Sequence, residues 1–171
     1  MPIQKSFYSS PVGILELCVT DECISAVLFA HSHKHPGDTT ATLASKTPGH
    51  PLLIECTKQL REYFEGKRMQ FDLPLRQAGS DFQQSVWAAL ENIPYGRTIS
   101  YLELSKRIGN IKAIRAVGTA NGSNSISIIV PCHRVIGSDG SLTGYGGKLW
   151  RKKWLLDHEN KHANGVQKLF A

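Results

Sequence analysis

Cysteine is sparse in this chain: four in 171 residues, at positions 18, 23, 56 and 132. No two stand in C-x-x-C spacing, which argues against a zinc ribbon. No apolar run approaches the ~18 residues that a membrane helix needs. The opening residues, Met1 to Ser6, carry one positive charge but no apolar stretch ahead of a small-residue cleavage site. The chain is therefore expected in the cytoplasm, with its cysteines as thiols. Internal repeats and low-complexity tracts are missing too. Acid is the minority charge: 14 Asp and Glu against 20 Lys and Arg leave +6, a balance that favours a polyanionic partner such as nucleic acid.

What is present divides into two halves. Ser9-Ser10-Pro11-Val12-Gly13 separates an opening segment from Ile14 to Val19, where Leu15, Leu17 and Val19 alternate with Ile14, Glu16 and Cys18. Thr20-Asp21-Glu22 then turns into an apolar run from Cys23 to Phe29, so a small antiparallel sheet is expected. From Leu52 to Glu65 the residues Leu53, Cys56, Leu60 and Phe64 follow i, i+3, i+7, i+11 between Pro51 and Gly66, which predicts one amphipathic helix over that sheet. Between them, 31–50 lacks apolar periodicity and reads as a loop; His31, His33 and His35 alternate there, a pattern more often solvated than metal-binding.

Periodicity lapses from Leu73 to Ser80 and resumes at Phe82, Val86, Leu90 and Ile93, which places a boundary between an α/β domain, 1–78, and a mainly α domain, 79–171. Ser100 and Glu103 fit a capping box, Gly109 ends that helix, and Asn110 is positioned to cap the next, from Ile111 to about Ala120. So short a turn makes the pair read as a helix-turn-helix, here expected to be winged helix-turn-helix-like, its second member carrying Lys112 and Arg115, although any all-helical domain contains such hairpins. Ala113, Ala116, Gly118 and Ala120 would let that helix approach a groove with Arg115 projecting, although small residues serve helix packing equally well. A final helix is expected from Leu149 through Glu159, with a frayed tail beyond.

Chemistry concentrates at Ile128-Ile129-Val130-Pro131-Cys132-His133-Arg134-Val135. A cysteine acts as a nucleophile through its thiolate, and neighbouring imidazole or cationic groups lower the thiol pKa from ~8.5. His133 and Arg134 are candidates for that role. Adjacent residues of an extended chain point oppositely, so His133 would reach Cys132 through a water or a bend, with Glu159 orienting the imidazole. On these grounds alone a Cys-His peptidase also fits.

Pro131-Cys132-His133-Arg134-Val135, with Asn121-Gly122-Ser123-Asn124 before it and Gly144-Tyr145-Gly146-Gly147 after it, closely resembles the acceptor region of the O6-alkylguanine-DNA alkyltransferases. The likeness continues through Phe82-Gln83-Gln84, Pro94-Tyr95-Gly96, Ser100-Tyr101, Arg115-Ala116-Val117-Gly118 and Trp154-Leu155-Leu156 to Glu159. Ser10-Pro11-Val12-Gly13 is similar to that family's opening hairpin. The resemblance implies a three-stranded sheet domain followed by a helical DNA-binding domain. It implies Cys132 as alkyl acceptor, His133 and Glu159 as its relay, Asn124 as the brace of the active-site turn and Tyr101 as the contact to a flipped guanine. Arg115 would be the finger left in the base stack, with Lys112, Ala116, Ser123 and Arg134 against DNA, and Pro131, Val135, Tyr145 and Gly146 around the alkyl pocket. It further implies stoichiometric, irreversible repair of double-stranded DNA by a monomer without cofactor, O4-alkylthymine being a further candidate substrate.

Some positions depart from the family pattern. Gly146 stands where some members have serine, and Lys148 replaces a glycine common in that turn. Thr20 and Ser25 fall where certain animal members carry zinc-binding Cys and His, so no metal is expected. The competing expectations are a non-catalytic module that recognises alkylated bases and a cysteine hydrolase.

Overall fold

The computed structural model describes residues 2–30, 49–145 and 147–170, with 164–170 as backbone only. The loop histidines His31, His33 and His35, and Gly146, lie outside the described residues. The chain forms two compact units: Met1–Gln77 with Ser125–Ile129, and Ala78–Asn124 with Val130–Ala171.

In the first unit, β1 (Gln4–Ser10), β2 (Gly13–Thr20) and β3 (Cys23–Phe29) form an antiparallel sheet in the order β1-β2-β3. Two-residue loops join them. Ser10 pairs with Gly13 across the first, and Thr20 with Cys23 across the second, where Asp21 and Glu22 both take positive φ (51° and 59°). Two successive left-handed residues match the right-handed strand twist, as in a type I′ hairpin. Leu15 and Leu17 on β2 are fully buried, and α1 (Pro51–Phe64) covers them with Leu53, Cys56, Leu60 and Tyr63. Each such side chain contributes ~1.5–3 kcal/mol of burial. Tyr63, not the expected Phe64, is the fully buried aromatic of the last turn. Thr20 Oγ1 and Ser25 Oγ share a hydrogen bond of 3.0 Å, which occupies both hydroxyls with each other.

The open edge of β3 is covered by two segments distant in sequence. Ile24 N–H donates to Pro74 O (2.8 Å), Val27 N–H to Ser125 O (2.9 Å), and Ser127 N–H to Val27 O (3.0 Å). Pairing satisfies backbone groups that would otherwise template association with another chain. The segment 125–129 is thus committed to the sheet a few residues ahead of Cys132.

In the second unit, α2 (Asp81–Leu90) starts at a full capping box in which Ser80 Oγ accepts from Gln83 N–H and Gln83 Oε1 from Ser80 N–H. Its last turn stops at Leu90, so Ile93 is buried from the following turn and not from the helix. β4 (Ile99–Ser100) leads into α3 (Tyr101–Arg107), and β4 pairs in parallel with β5 (Val135–Ile136). Ser100 caps α3 by accepting from Glu103 N–H at 3.0 Å, but Glu103 does not close the expected box; its carboxylate bonds Arg107 at 3.3 Å, one turn on. After Gly109 (φ 79°), a 3-10 turn over Ile111–Ala113 precedes α4 (Ile114–Gly122). Asn110 makes no side-chain cap, because the tight turn sets its backbone at φ −142°, ψ 77°. Trp87 Nε1 on α2 donates to Ala120 O on α4 at 2.9 Å. The final helix, α5, runs Leu149–Phe170, well past the expected end at Glu159.

Candidate active site and nucleic-acid interface

Every residue of the site belongs to the second unit. Cys132 does not lie in extended chain: Pro131 (φ −83°, ψ 63°) makes an inverse γ-turn, with Cys132 N–H donating to Val130 O at 2.8 Å, and Cys132–Arg134 form a 3-10 turn. Two asparagines brace this arrangement. Asn124 Nδ2 donates to Val130 O (2.8 Å) and lies 3.2 Å from Cys132 Sγ, while Asn121 Nδ2 donates to Cys132 O (3.3 Å). Asn124 therefore fixes the turn and meets the sulfur with one amide group.

The thiol is 5% exposed. Burial pushes its pKa up, against the downward pulls of the Asn124 amide and the charge on Lys152. The groups that pull it down are thus not the candidates His133 and Arg134, and with burial dominant the protonated thiol is favoured in the resting protein.

Behind it lies a buried ion cluster. His133 Nε2 meets Glu159 Oε2 at 2.6 Å, and Arg134 reaches both carboxylate oxygens, Nε to Oε1 at 2.8 Å and Nη2 to Oε2 at 3.1 Å. Gly96 N–H adds a bond to Oε1 at 3.3 Å. Burial pushes the Glu159 carboxyl up, but His133 and Arg134 outweigh it and hold the group far below the usual carboxylate range. Burial lowers the His133 pKa despite the attraction of Glu159. Because Arg134 already balances the carboxylate, the imidazole rests neutral. Its Nε2–H donates to Glu159, which leaves the Nδ1 lone pair buried and without a hydrogen-bonding group among the described residues.

Arg134 is a correction. Expected on DNA, it is 6% exposed, and Nη1 donates to Ile93 O at 2.7 Å while the rest of the guanidinium clasps Glu159. A phosphate contact would require breaking that buried pair.

Lys152 was not foreseen. It is 0% exposed, and its Nζ donates to Val135 O (2.6 Å) and Thr143 O (2.9 Å) and lies 5.7 Å from the centre of the Tyr101 ring. No carboxylate among the described residues pairs with it. Burial lowers its pKa to about 8, an effect that a thiolate at Cys132 would partly offset. A signal existed in the sequence: Lys152, Leu155 and Glu159 fall at i, i+3, i+7, so a lysine sits on the inward stripe of α5. Tyr101 O–H donates to Thr143 O at 3.1 Å, so lysine and phenol share one carbonyl. Pro131 and Val135 are buried beside the sulfur in the chain, and Tyr145 is partly exposed. Lys148 holds φ 75°, the left-handed region where a glycine would be unstrained.

On the helix-turn-helix, Lys112, Arg115, Ala116 and Ser123 are exposed. Ser123 Oγ is engaged locally, donating to Ala120 O at 2.8 Å. From 104 to 138 there is no Asp or Glu, while Lys106, Arg107, Lys112 and Arg115 are all exposed. Such a surface attracts a polyanion.

Fold and site define a protein that carries a buried, acid–base-supported cysteine in the same unit as a basic helix-turn-helix. Residues 81–161 match the family model described as 6-O-methylguanine DNA methyltransferase, DNA binding domain, and residues 3–77 its ribonuclease-like domain. The methylated-DNA–protein-cysteine methyltransferase of Mycolicibacterium paratuberculosis is 44% identical over 98% of this chain and 99% of its own. The enzyme of that name from Methanosarcina barkeri is 55% identical over 90% of this chain and 94% of its own. The structure of Mycobacterium tuberculosis OGT in complex with DNA matches with a TM-score of 0.79 and 42% identity, covering 92% of this chain and 93% of that one. The chain belongs to the O6-methylguanine DNA methyltransferase family.

Proposed function

We propose that this chain is a methylated-DNA–protein-cysteine methyltransferase, which repairs double-stranded DNA by moving the alkyl group of O6-alkylguanine irreversibly onto Cys132. The observation that carries the reading is the buried Cys132 thiol, with the Asn124 amide 3.2 Å from its sulfur and a neutral imidazole next in the chain, anchored to an ionised Glu159.

The thiol passes its proton, by way of a water, to His133 Nδ1, and the imidazolium so formed is held by Glu159. Asn124 and Lys152 meet the charge left on sulfur. The thiolate then attacks the alkyl carbon: an S–C bond forms as the C–O6 bond breaks, and the electron pair moves onto guanine. Tyr101 turns its O–H from Thr143 O to donate a hydrogen bond to the departing base. The thiol proton ends on guanine, so Cys–SH plus O6-alkylguanine gives Cys–S-alkyl plus guanine, and the balance closes without a cofactor. No step reverses the thioether, so one molecule repairs one lesion.

A base within the duplex conceals its O6 substituent, and rotating it out costs a few kcal/mol. Arg115 fills the gap, while Lys112, Ala116 and Ser123 face the backbone and groove; Pro131, Val135 and Tyr145 border the alkyl group. Incubation with an oligonucleotide containing O6-methylguanine, followed by peptide mass spectrometry, is expected to show one added methyl on the Cys132 peptide and none in Cys132→Ala. Stable binding with an unmodified peptide would instead identify a damage-recognition module.

A further inference from the structure

The turn that leads into α4 exposes two large apolar side chains: Ile111 is 52% exposed and Ile114 40%. In 3-10 geometry residues i and i+3 stand over one another. Ile111 opens such a turn and Ile114 follows it directly, so the two form one apolar ridge. Lys112 and Arg115, both exposed, flank that ridge, and neither the turn nor the start of α4 carries an acid. A scattered surface isoleucine needs no explanation. Two in one ridge, within a stretch of sequence, 104–138, that holds no Asp or Glu, are a different matter.

We infer that Ile114, backed by Ile111, is an apolar wedge that enters the DNA beside Arg115 and loosens the base step from which the lesion leaves. This rests on the reading of α4 as the DNA-facing helix. Phosphates offer nothing to an isoleucine, so what the ridge meets in the same polyanion is sugar edges and base faces. Apolar side chains inserted between base steps partly unstack them and bend the duplex. Arg115 then occupies the stack that the isoleucine has opened. The wedge acts on the conformation of DNA and not on the chemistry, which makes Ile114 a positioning residue.

The test compares Ile114→Ala and Ile114→Leu on three substrates: O6-methylguanine paired in a duplex, the same strand unpaired, and a free O6-alkylguanine base. At saturating duplex, transfer by Ile114→Ala is expected to fall about tenfold, the scale set by losing most of one aliphatic side chain's contact. Transfer from the single strand and the free base stays at the wild-type rate, and Ile114→Leu restores duplex transfer. Equal losses on all three substrates would mean a structural role only, and an unchanged or faster duplex rate would mean no wedge; either result overturns the inference. Lys112→Ala separates the two levels. If it leaves duplex affinity unchanged, α4 does not face DNA and the underlying reading fails. If it weakens affinity while Ile114→Ala is silent, only the wedge fails.

Discussion

Glu159 accepts from an imidazole, from two nitrogens of one guanidinium and from the Gly96 amide. Removing its charge would strand the Arg134 cation in the interior, a loss on the order of 3–5 kcal/mol for a broken buried pair. Glu159→Gln is thus expected to lower the urea midpoint markedly at pH 7. The sign with pH follows from the depressed carboxyl. Its stabilisation is fully present above the ordinary value of 4.5 and fades as pH falls toward the folded value, so the gap between wild type and Glu159→Gln shrinks in acid. Alkyl transfer gives an independent check on His133. Burial lowers the imidazole below 6.5, so the base stays competent in mild acid, and the acid limb of the rate should lie below pH 6.5. A limb above that value would remove His133 from the role of base.

For single elements, the helix-turn-helix owes its use to charge as much as to shape. Each phosphate contact releases condensed counterions, so Lys112→Ala should weaken duplex binding by a similar factor for any sequence and reduce the slope of log affinity against log salt by about one. Measured affinities across a salt series check this. The elements themselves were readable to differing degrees. Alternation in β2, the turn at Ser10-Pro11-Val12-Gly13 and the i, i+3, i+7 spacing of Leu53, Cys56 and Leu60 are local signals, and the observed strands and α1 follow them closely. The Ser80–Gln83 box is equally local, whereas Ser100 and Glu103, which have the same spacing, form only half a box because Arg107 competes for the carboxylate. What no local pattern encodes is partner choice across the chain. The pairing of Ser125 and Ser127 with Val27 is of that kind, as is the capture of Arg134 by Glu159. The Pro131-Cys132-His133 core of the site was legible from residue chemistry; the raised thiol was not, because burial sets it.

Across the whole molecule, the described residues include no helix long and apolar enough to cross a membrane. The division into two units also has one irregularity. The chain leaves the helical unit after Asn124, runs beside β3 as residues 125–129 and re-enters the helical unit at Val130, two residues ahead of Cys132.

Lys152 carries a final implication, for how the fold answers to alkali. While the sulfur is a thiol, before transfer, or a thioether, after it, the enclosed ammonium has carbonyl oxygens for company and no anion among the described residues. The amine sheds its proton in the folded chain ahead of the unfolded, so this group should make the fold gain stability as pH rises between about 8 and 10.5. Lys152→Met should abolish that pH-dependent part in calorimetry. An interior cation held this way makes alkali, within that window, an ally of the fold.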